Sequence, residues 1–212
     1  MSFVILRHAK IKNASKHAVI GHNHRLGDES QKVNIDVSLG GLNRSLMGAG
    51  ALKRLNDLLP EKMRKDAVVA IETVVSASPE FFDSIEEDRA KLAQNPKFKK
   101  WVLDTQVWMK KEWGDNVVDA VLHMDESTPH IHFLTVPRVN ERLCAKEFLA
   151  IGVMQRHQSE YSAAMAPHGL QRGIPVTETK RKHIGLKESS GSGGQGAKLA
   201  AELATAKTEL AR

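Results

Sequence analysis

The sequence predicts an α+β fold, a central and largely antiparallel β-sheet with helices packed on one face. Period-2 apolar runs at 2–10 and 66–76 read as strands, and a third at 117–137 folds back on itself as a hairpin. Apolar residues at helical spacing fill 43–59, 97–113 and 145–166. The order strand, helix, strand, helix pair, hairpin, helix contains no internal repeat.

Taken in order, residues 2–10 place Phe3, Ile5 and Arg7 on one face of a strand and Val4, Leu6 and His8 on the other. From Ile11 to about Leu42 the chain is polar and punctuated by glycine, and it reads as a long functional loop. In 43–59, Leu46, Leu52, Leu55, Leu58 and Leu59 recur near helical spacing and Pro60 closes the run. Ala67, Val69, Ile71, Thr73 and Val75 make one face of the strand at 66–76; Glu72 interrupts the other. Ser78-Pro79-Glu80 reads as a helix start, with serine as N-cap and proline in the first turn. The helix at 97–113 carries most of the aromatic mass and stops at Gly114-Asp115-Asn116. Residues 138–145 read as a polar loop, and 145–166 as one helix ending at Pro167-His168-Gly169.

Three segments follow from composition: a folded domain over 1–188, a Gly/Ser linker over 189–196, and the start of a coiled coil over 197–212. The heptad-like leucines stop after about two repeats, so the expectation is a chain that continues past Arg212 and dimerises there. With 41% hydrophobic residues the chain can bury a core. It lacks a membrane-length apolar run and a signal peptide, so the cytoplasm is the expected compartment. One cysteine, Cys144, excludes an internal disulfide and a cysteine-based zinc cluster. A net charge of +6 favours a polyanionic partner.

The densest chemistry lies at 123–132: His123-Met124-Asp125-Glu126-Ser127-Thr128-Pro129-His130-Ile131-His132. His130 and His132 share a strand face, and an antiparallel return sets His123 across from them. Neutral imidazoles are good ligands for a transition metal, and three of them leave coordination positions open, as catalysis requires. Asp125 and Glu126 are placed to orient the rings by accepting their second N–H. Residue chemistry alone leaves three readings open: a metal-dependent nuclease, a DNA-binding repressor with a structural metal, and a small-substrate metallohydrolase.

The His-hydrophobic-His unit resembles that of the HUH endonucleases. The longer hairpin motif resembles the MobV class of plasmid mobilisation relaxases, the Mob/Pre plasmid recombination family. Other stretches share the resemblance: His22-Asn23-His24-Arg25 is similar to that family's His-Asn-x-Arg motif, and Asn34-Ile35-Asp36 with Leu42-Asn43-Arg44 to its second block. It extends from Arg7 to about residue 183, with the strand at 66–76 leading into Ser78-Pro79-Glu80-Phe81-Phe82.

The resemblance implies an HUH-relaxase fold that nicks and rejoins one DNA strand at a plasmid transfer origin, for conjugative mobilisation. It implies a divalent metal, Mn or Mg, on His123, His130 and His132, and imidazole ligands suit Mn better. It also implies partners: a single-stranded nick region with its hairpin, and the coupling apparatus of conjugation. His22 takes the part of nucleophile, attacking phosphorus to leave a 5′-phosphoramidate. Glu126, or with less support Glu72, accepts the other ring N–H of His22, and Arg25 neutralises phosphate charge. The tyrosine-dependent alternative rests on Tyr161, the sole tyrosine, which reads as a packing residue. His24 departs from the family pattern and stays open as a substitute for His22. Candidate DNA contacts are Arg7, Lys10, Lys12, Lys16, Asn23, Arg25, Arg44, Lys180, Arg181 and Lys182.

Overall fold

The computed structural model describes residues 1–27 and 34–173. Its elements run β1 (Ser2–Lys12), α1 (Lys16–Asn23), β2 (Arg44–Ser45), α2 (Ala51–Asp57), β3 (Val68–Ala77), α3 (Pro79–Asp83), α4 (Arg89–Gln94) and α5 (Pro96–Trp113). They continue with β4 (Val117–His123), β5 (His130–Thr135), β6 (Arg138–Val139), β7 (Arg142–Leu143), α6 (Ala145–Phe148), α7 (Ile151–Met165) and β8 (Leu170–Gln171). Six strands form one sheet in the order β2-β4-β5-β3-β1-β8. Every pairing is antiparallel except β1 with β8. The α+β class and the antiparallel sheet are as the periodicity predicts. The linker and coiled-coil segments, with Lys180, Arg181 and Lys182, lie outside the described residues.

Strand alternation sorts the sheet into two faces. One carries Val4, Leu6, Val75, Ala77, Leu122, Ile131 and Phe133, packed under Phe82, Phe98, Trp101, Trp108 and Tyr161 of α3, α5 and α7. Buried aromatics at this density contribute much of the stability, since each hides a large apolar area. The second face carries Ala70, Leu134 and the three hairpin histidines, and is covered in part by Ile20 of α1 and Leu55 of α2. The expectation of helices on one face is therefore corrected: helices lie on both. The short, polar α1 has a weak apolar signal and is held by the sheet beneath it rather than by propensity.

Three further expectations change. The predicted helix at 43–59 is a sheet-edge strand followed by a shorter helix. Gly48 and Gly50 sit at φ +70° and +94°, which stops a helix there, and the Leu46 amide bonds the Ala120 carbonyl at 2.8 Å. Its leucines divide between the two faces, Leu46 packing on one and Leu55 on the other, which imitates helical spacing. The helix at 145–166 breaks at Leu149-Ala150, and the polar loop before it holds the small hairpin β6–β7, with Asn140 and Glu141 at positive φ. Ser78 does not cap α3; its hydroxyl accepts the Phe3 amide at 2.7 Å and ties the helix start to β1.

Beneath α5 and α7 lies a partly buried chain of polar groups. Thr73 Oγ1 is 2.9 Å from His8 Nδ1, His8 Nε2 is 3.3 Å from His157 Nδ1, and His157 Nε2 is 3.0 Å from Glu112, itself paired with Arg156. Burial, then the neighbouring His157, lowers the pKa of His8 to about 4. The unfolded imidazole titrates near 6.5, so between those values the unfolded chain holds more protons and stability falls as pH falls. Urea unfolding therefore shows a stability loss from about pH 6.5 towards 4 that His8→Gln makes shallower, by at most about 1.4 kcal/mol per pH unit. Equal slopes for the two proteins contradict this account.

Candidate active site

The β4–β5 hairpin sets His123 directly opposite His130, with His132 two residues on along the same face. The His123 ring centroid is 5.1 Å from that of His130 and 4.6 Å from that of His132. Each ring has one nitrogen committed outward. His130 Nδ1 lies 2.9 Å from the Thr128 carbonyl, His132 Nδ1 lies 2.8 Å from Glu72 Oε1, and His123 Nε2 lies 2.7 Å from the Asn23 carbonyl. A carbonyl or a carboxylate beside a ring nitrogen accepts, so that nitrogen donates and its partner keeps the lone pair. The lone pairs are thus on Nε2 of His130, Nε2 of His132 and Nδ1 of His123. The first two face each other at 3.0 Å. Two opposed acceptors repel unless a cation joins them. Burial, then His132, lowers the pKa of His130 to about 4, which disfavours a proton on that ring at neutral pH. The donor set fits a divalent metal: the three histidines offer ligand atoms within 4.8 Å of one another.

The turn between the strands is held from outside. Asn43 Oδ1 accepts the Met124 amide at 2.7 Å, and Asn43 Nδ2 donates to Asp125 at 2.6 Å. Ser76 donates to the Pro129 carbonyl at 2.7 Å. Asp125 does not orient an imidazole as expected. It is 1% exposed and takes a two-pronged bond from Arg25, Nε at 2.9 Å and Nη2 at 2.8 Å. Burial would raise the Asp125 pKa; the bonds from Arg25 and Asn43 outweigh it and hold the carboxyl below its usual range. Glu126 behaves alike: burial opposes, but His123 and Arg25 keep it far below the ordinary glutamate value. Its Oε1 lies 3.6 Å from His123 Nδ1 and 3.9 Å from His130 Nε2, beside the converging lone pairs.

α1 delivers the His-Asn-x-Arg stretch to this point. His22 lies in its last helical turn, not in a loop, with its ring 6.2 Å from those of both His123 and His132. Asn23 is buried; its amide donates to Glu72 at 3.1 Å, so one carboxylate serves α1 and His132 together. Burial opposes ionisation of Glu72, yet His132 and Asn23 lower its pKa. His24 points away: its Nε2 is 2.8 Å from the buried Asp119. Arg25, at φ +51°, gives its guanidinium to Asp125 and Glu126 and reaches His123 Nδ1 at 3.1 Å and His22 Nε2 at 3.4 Å. A metal on His123 competes with Arg25 for that lone pair.

Among the other expected residues, Arg7 is exposed in one cross-strand row with Val74 and His132, about 10 Å from the latter at about 4.8 Å per strand. Arg44 pairs with Leu122, so it lies at the sheet edge on the face opposite the histidines. Lys10 and Lys12 lie near the far end of β1, and Lys16 bonds Asn56 at 2.8 Å. Tyr161 is fully buried, bonds Thr105 at 3.1 Å, and has its phenol pKa raised by burial. Asn43 was named only within the Leu42-Asn43-Arg44 block, without a role, and Asp119 is unforeseen. The signal for Asp119 was an acid on the inward side of an apolar strand, as at Glu72.

The family model described as "Plasmid recombination enzyme" matches residues 1–189. The chain belongs to the plasmid recombination enzyme family. Curated relatives include a plasmid recombination enzyme from Streptococcus agalactiae, 26% identical over 87% of this chain and 38% of its own length. A plasmid recombination enzyme type 3 from Staphylococcus aureus is 30% identical over 86% of this chain and 46% of its own. The chain thus spans less than half the length of either relative. The MobM relaxase domain, crystallised with Mn and plasmid pMV158 oriT DNA, superposes with a TM-score of 0.73 at 24% identity, covering 88% of this chain and 96% of that one. That likeness establishes the shared fold. No helix among the described residues is long and apolar enough to cross a membrane.

Removing Glu72 frees the His132 tautomer and unties it from Asn23. Glu72→Ala is expected to weaken Mn binding, measured calorimetrically, by about 10–100-fold. Glu72→Gln, which keeps an acceptor oxygen, weakens it less. Unchanged affinity in Glu72→Ala contradicts the assignment.

Proposed function

We propose that this family member is a metal-dependent relaxase that nicks and rejoins one strand of a plasmid transfer origin through His22. The observation that carries the reading is the outward commitment of one nitrogen on each of His123, His130 and His132, beside the ring of His22. Further support comes from the Mn and oriT DNA bound by the MobM relaxase domain.

His123, His130 and His132 would hold the divalent ion, which would supply positive charge to polarise the scissile phosphate. The chain's own groups do the rest. The neutral His22 ring attacks phosphorus with its lone pair, forming an N–P bond as the bond to the 3′ oxygen breaks. That oxygen leaves with the electron pair, and the second N–H proton of the imidazole passes through solvent to it. The product is a 5′-phosphoramidate and a free 3′ hydroxyl, and reversal rejoins the strand. Arg25 holds Asp125 and Glu126 and turns one guanidinium nitrogen towards His22, where positive charge assists the incoming phosphate. Burial of Tyr161 and the bond of His24 to Asp119 weigh against either as nucleophile. The same reading includes a cytoplasmic relaxase domain over 1–188, acting with a conjugation coupling apparatus.

Supercoiled plasmid carrying the cognate origin, incubated with Mn, is expected to yield relaxed circles that retain protein after denaturation. His22→Ala abolishes the adduct, and His132→Ala slows its formation at least about a hundredfold. Tyr161→Phe and His24→Ala retain it, and acid releases the DNA. An acid-stable adduct, or one that survives His22→Ala, contradicts the proposal.

A further inference from the structure

A second feature lies away from the histidines. A cleft of about 730 Å³ opens where the 60–68 segment and the start of β3 meet the β6–β7 hairpin and α6. Lys10, Lys62, Arg64, Arg142 and Lys146 line it, against one acid, Glu141. All five cations are exposed. Among the described residues, Lys10, Lys62, Arg142 and Lys146 make no ion pair, and Arg64 makes only a loose, exposed one with Asp66 at 3.8 Å. Glu141 is already engaged by Arg138 at 3.2 Å. Five cations converging on one concavity, four of them with no ion pair among the described residues, repel one another, and that arrangement favours an anionic occupant.

The cleft is distinct from the candidate active site. Its floor includes Val68, whereas His132 pairs with Val74, six residues further along β3. At about 3.3 Å per residue that separation is about 20 Å, close to six base pairs of duplex at about 3.4 Å each. The floor, Ala67, Leu143 and Leu149, has no aromatic anchor of the kind that dominates protein–protein contacts. It offers small apolar surface for sugars beneath a rim of phosphate-binding cations, the pattern of contacts that position nucleic acid without reading bases.

Resting on the relaxase reading, we propose that this cleft binds the phosphodiester backbone of the same DNA at a distance from the scissile phosphate, independently of base sequence. The test needs neither metal nor cleavage, so it can fail while His22 nicking stands, and the reverse. The full chain and the triple variant Lys62→Glu/Arg142→Glu/Lys146→Glu are titrated by fluorescence anisotropy with oligo(dT) of about 25 nucleotides and with an arbitrary duplex of about 20 base pairs. A control, Lys97→Glu/Lys99→Glu/Lys111→Glu on the exposed side of α5, carries the same change in charge. Far-UV circular dichroism and melting confirm that both variants fold.

The cleft variant is expected to bind at least one probe about tenfold more weakly, with a salt slope lower by about 2 for single strand or 3 for duplex, while the control changes little. Loss confined to oligo(dT) assigns the cleft to a single strand, and loss confined to the duplex assigns it to a paired arm. Unchanged affinity and slope for both probes, or equal losses from cleft and control variants, overturn the proposal. Should the triple variant fail to fold, Lys62→Ala and Lys146→Ala, each at an exposed position, are read in its place against the same two outcomes.

Discussion

The bond from His123 Nε2 to the Asn23 carbonyl, at 2.7 Å, is the seam on which the site depends. It joins the end of α1 to a strand a hundred residues later and fixes the His123 tautomer in the same contact. Arg25 reinforces the seam two residues on, forking onto Asp125 in the hairpin turn. Without these contacts α1 would be a short polar helix with little reason to form, and His22 would have no fixed position. The candidate nucleophile and the candidate metal ligands therefore belong to one folded unit rather than to two neighbouring ones.

Electrostatics explain why the seam needs an arginine. Asp125 is almost wholly buried and Glu126 mostly so, and one guanidinium serves both, helped by Asn43 at Asp125 and by His123 at Glu126. A lysine has the charge but not the planar fork that satisfies two carboxylates, the ring nitrogens of His22 and His123 and the His22 carbonyl together. Such a buried cluster is a weak source of net stability, since desolvation offsets most of the attraction. Its value is geometric: it holds Glu126 at the mouth of the lone-pair cluster.

Much of this was legible because it is local. The hairpin, the shared face of His130 and His132 and the facing position of His123 follow from strand periodicity and a tight turn. The partners that fix the three rings were not legible, because Asn23 and Glu72 come from distant segments and two of the three acceptors, on Asn23 and Thr128, are backbone carbonyls. A carbonyl such as that of Asn23 or Thr128 carries no side-chain signature. Arg25 was assigned to phosphate because a loop arginine beside a motif histidine shows its charge in sequence but not its buried counter-ions. Residues 43–59 misled for a different reason: Leu46 and Leu55 serve opposite faces of one sheet, and a linear pattern does not record which face a residue leaves.

The central claim is that outer partners set three imidazole tautomers so that their lone pairs converge. Long-range 15N–1H correlation on histidine-labelled, metal-free protein at neutral pH reads those tautomers directly. The account predicts the Nδ1–H form for His130 and His132 and the Nε2–H form for His123. An Nε2–H form at His130 or His132, or rapid averaging of both forms at any of the three, would contradict it.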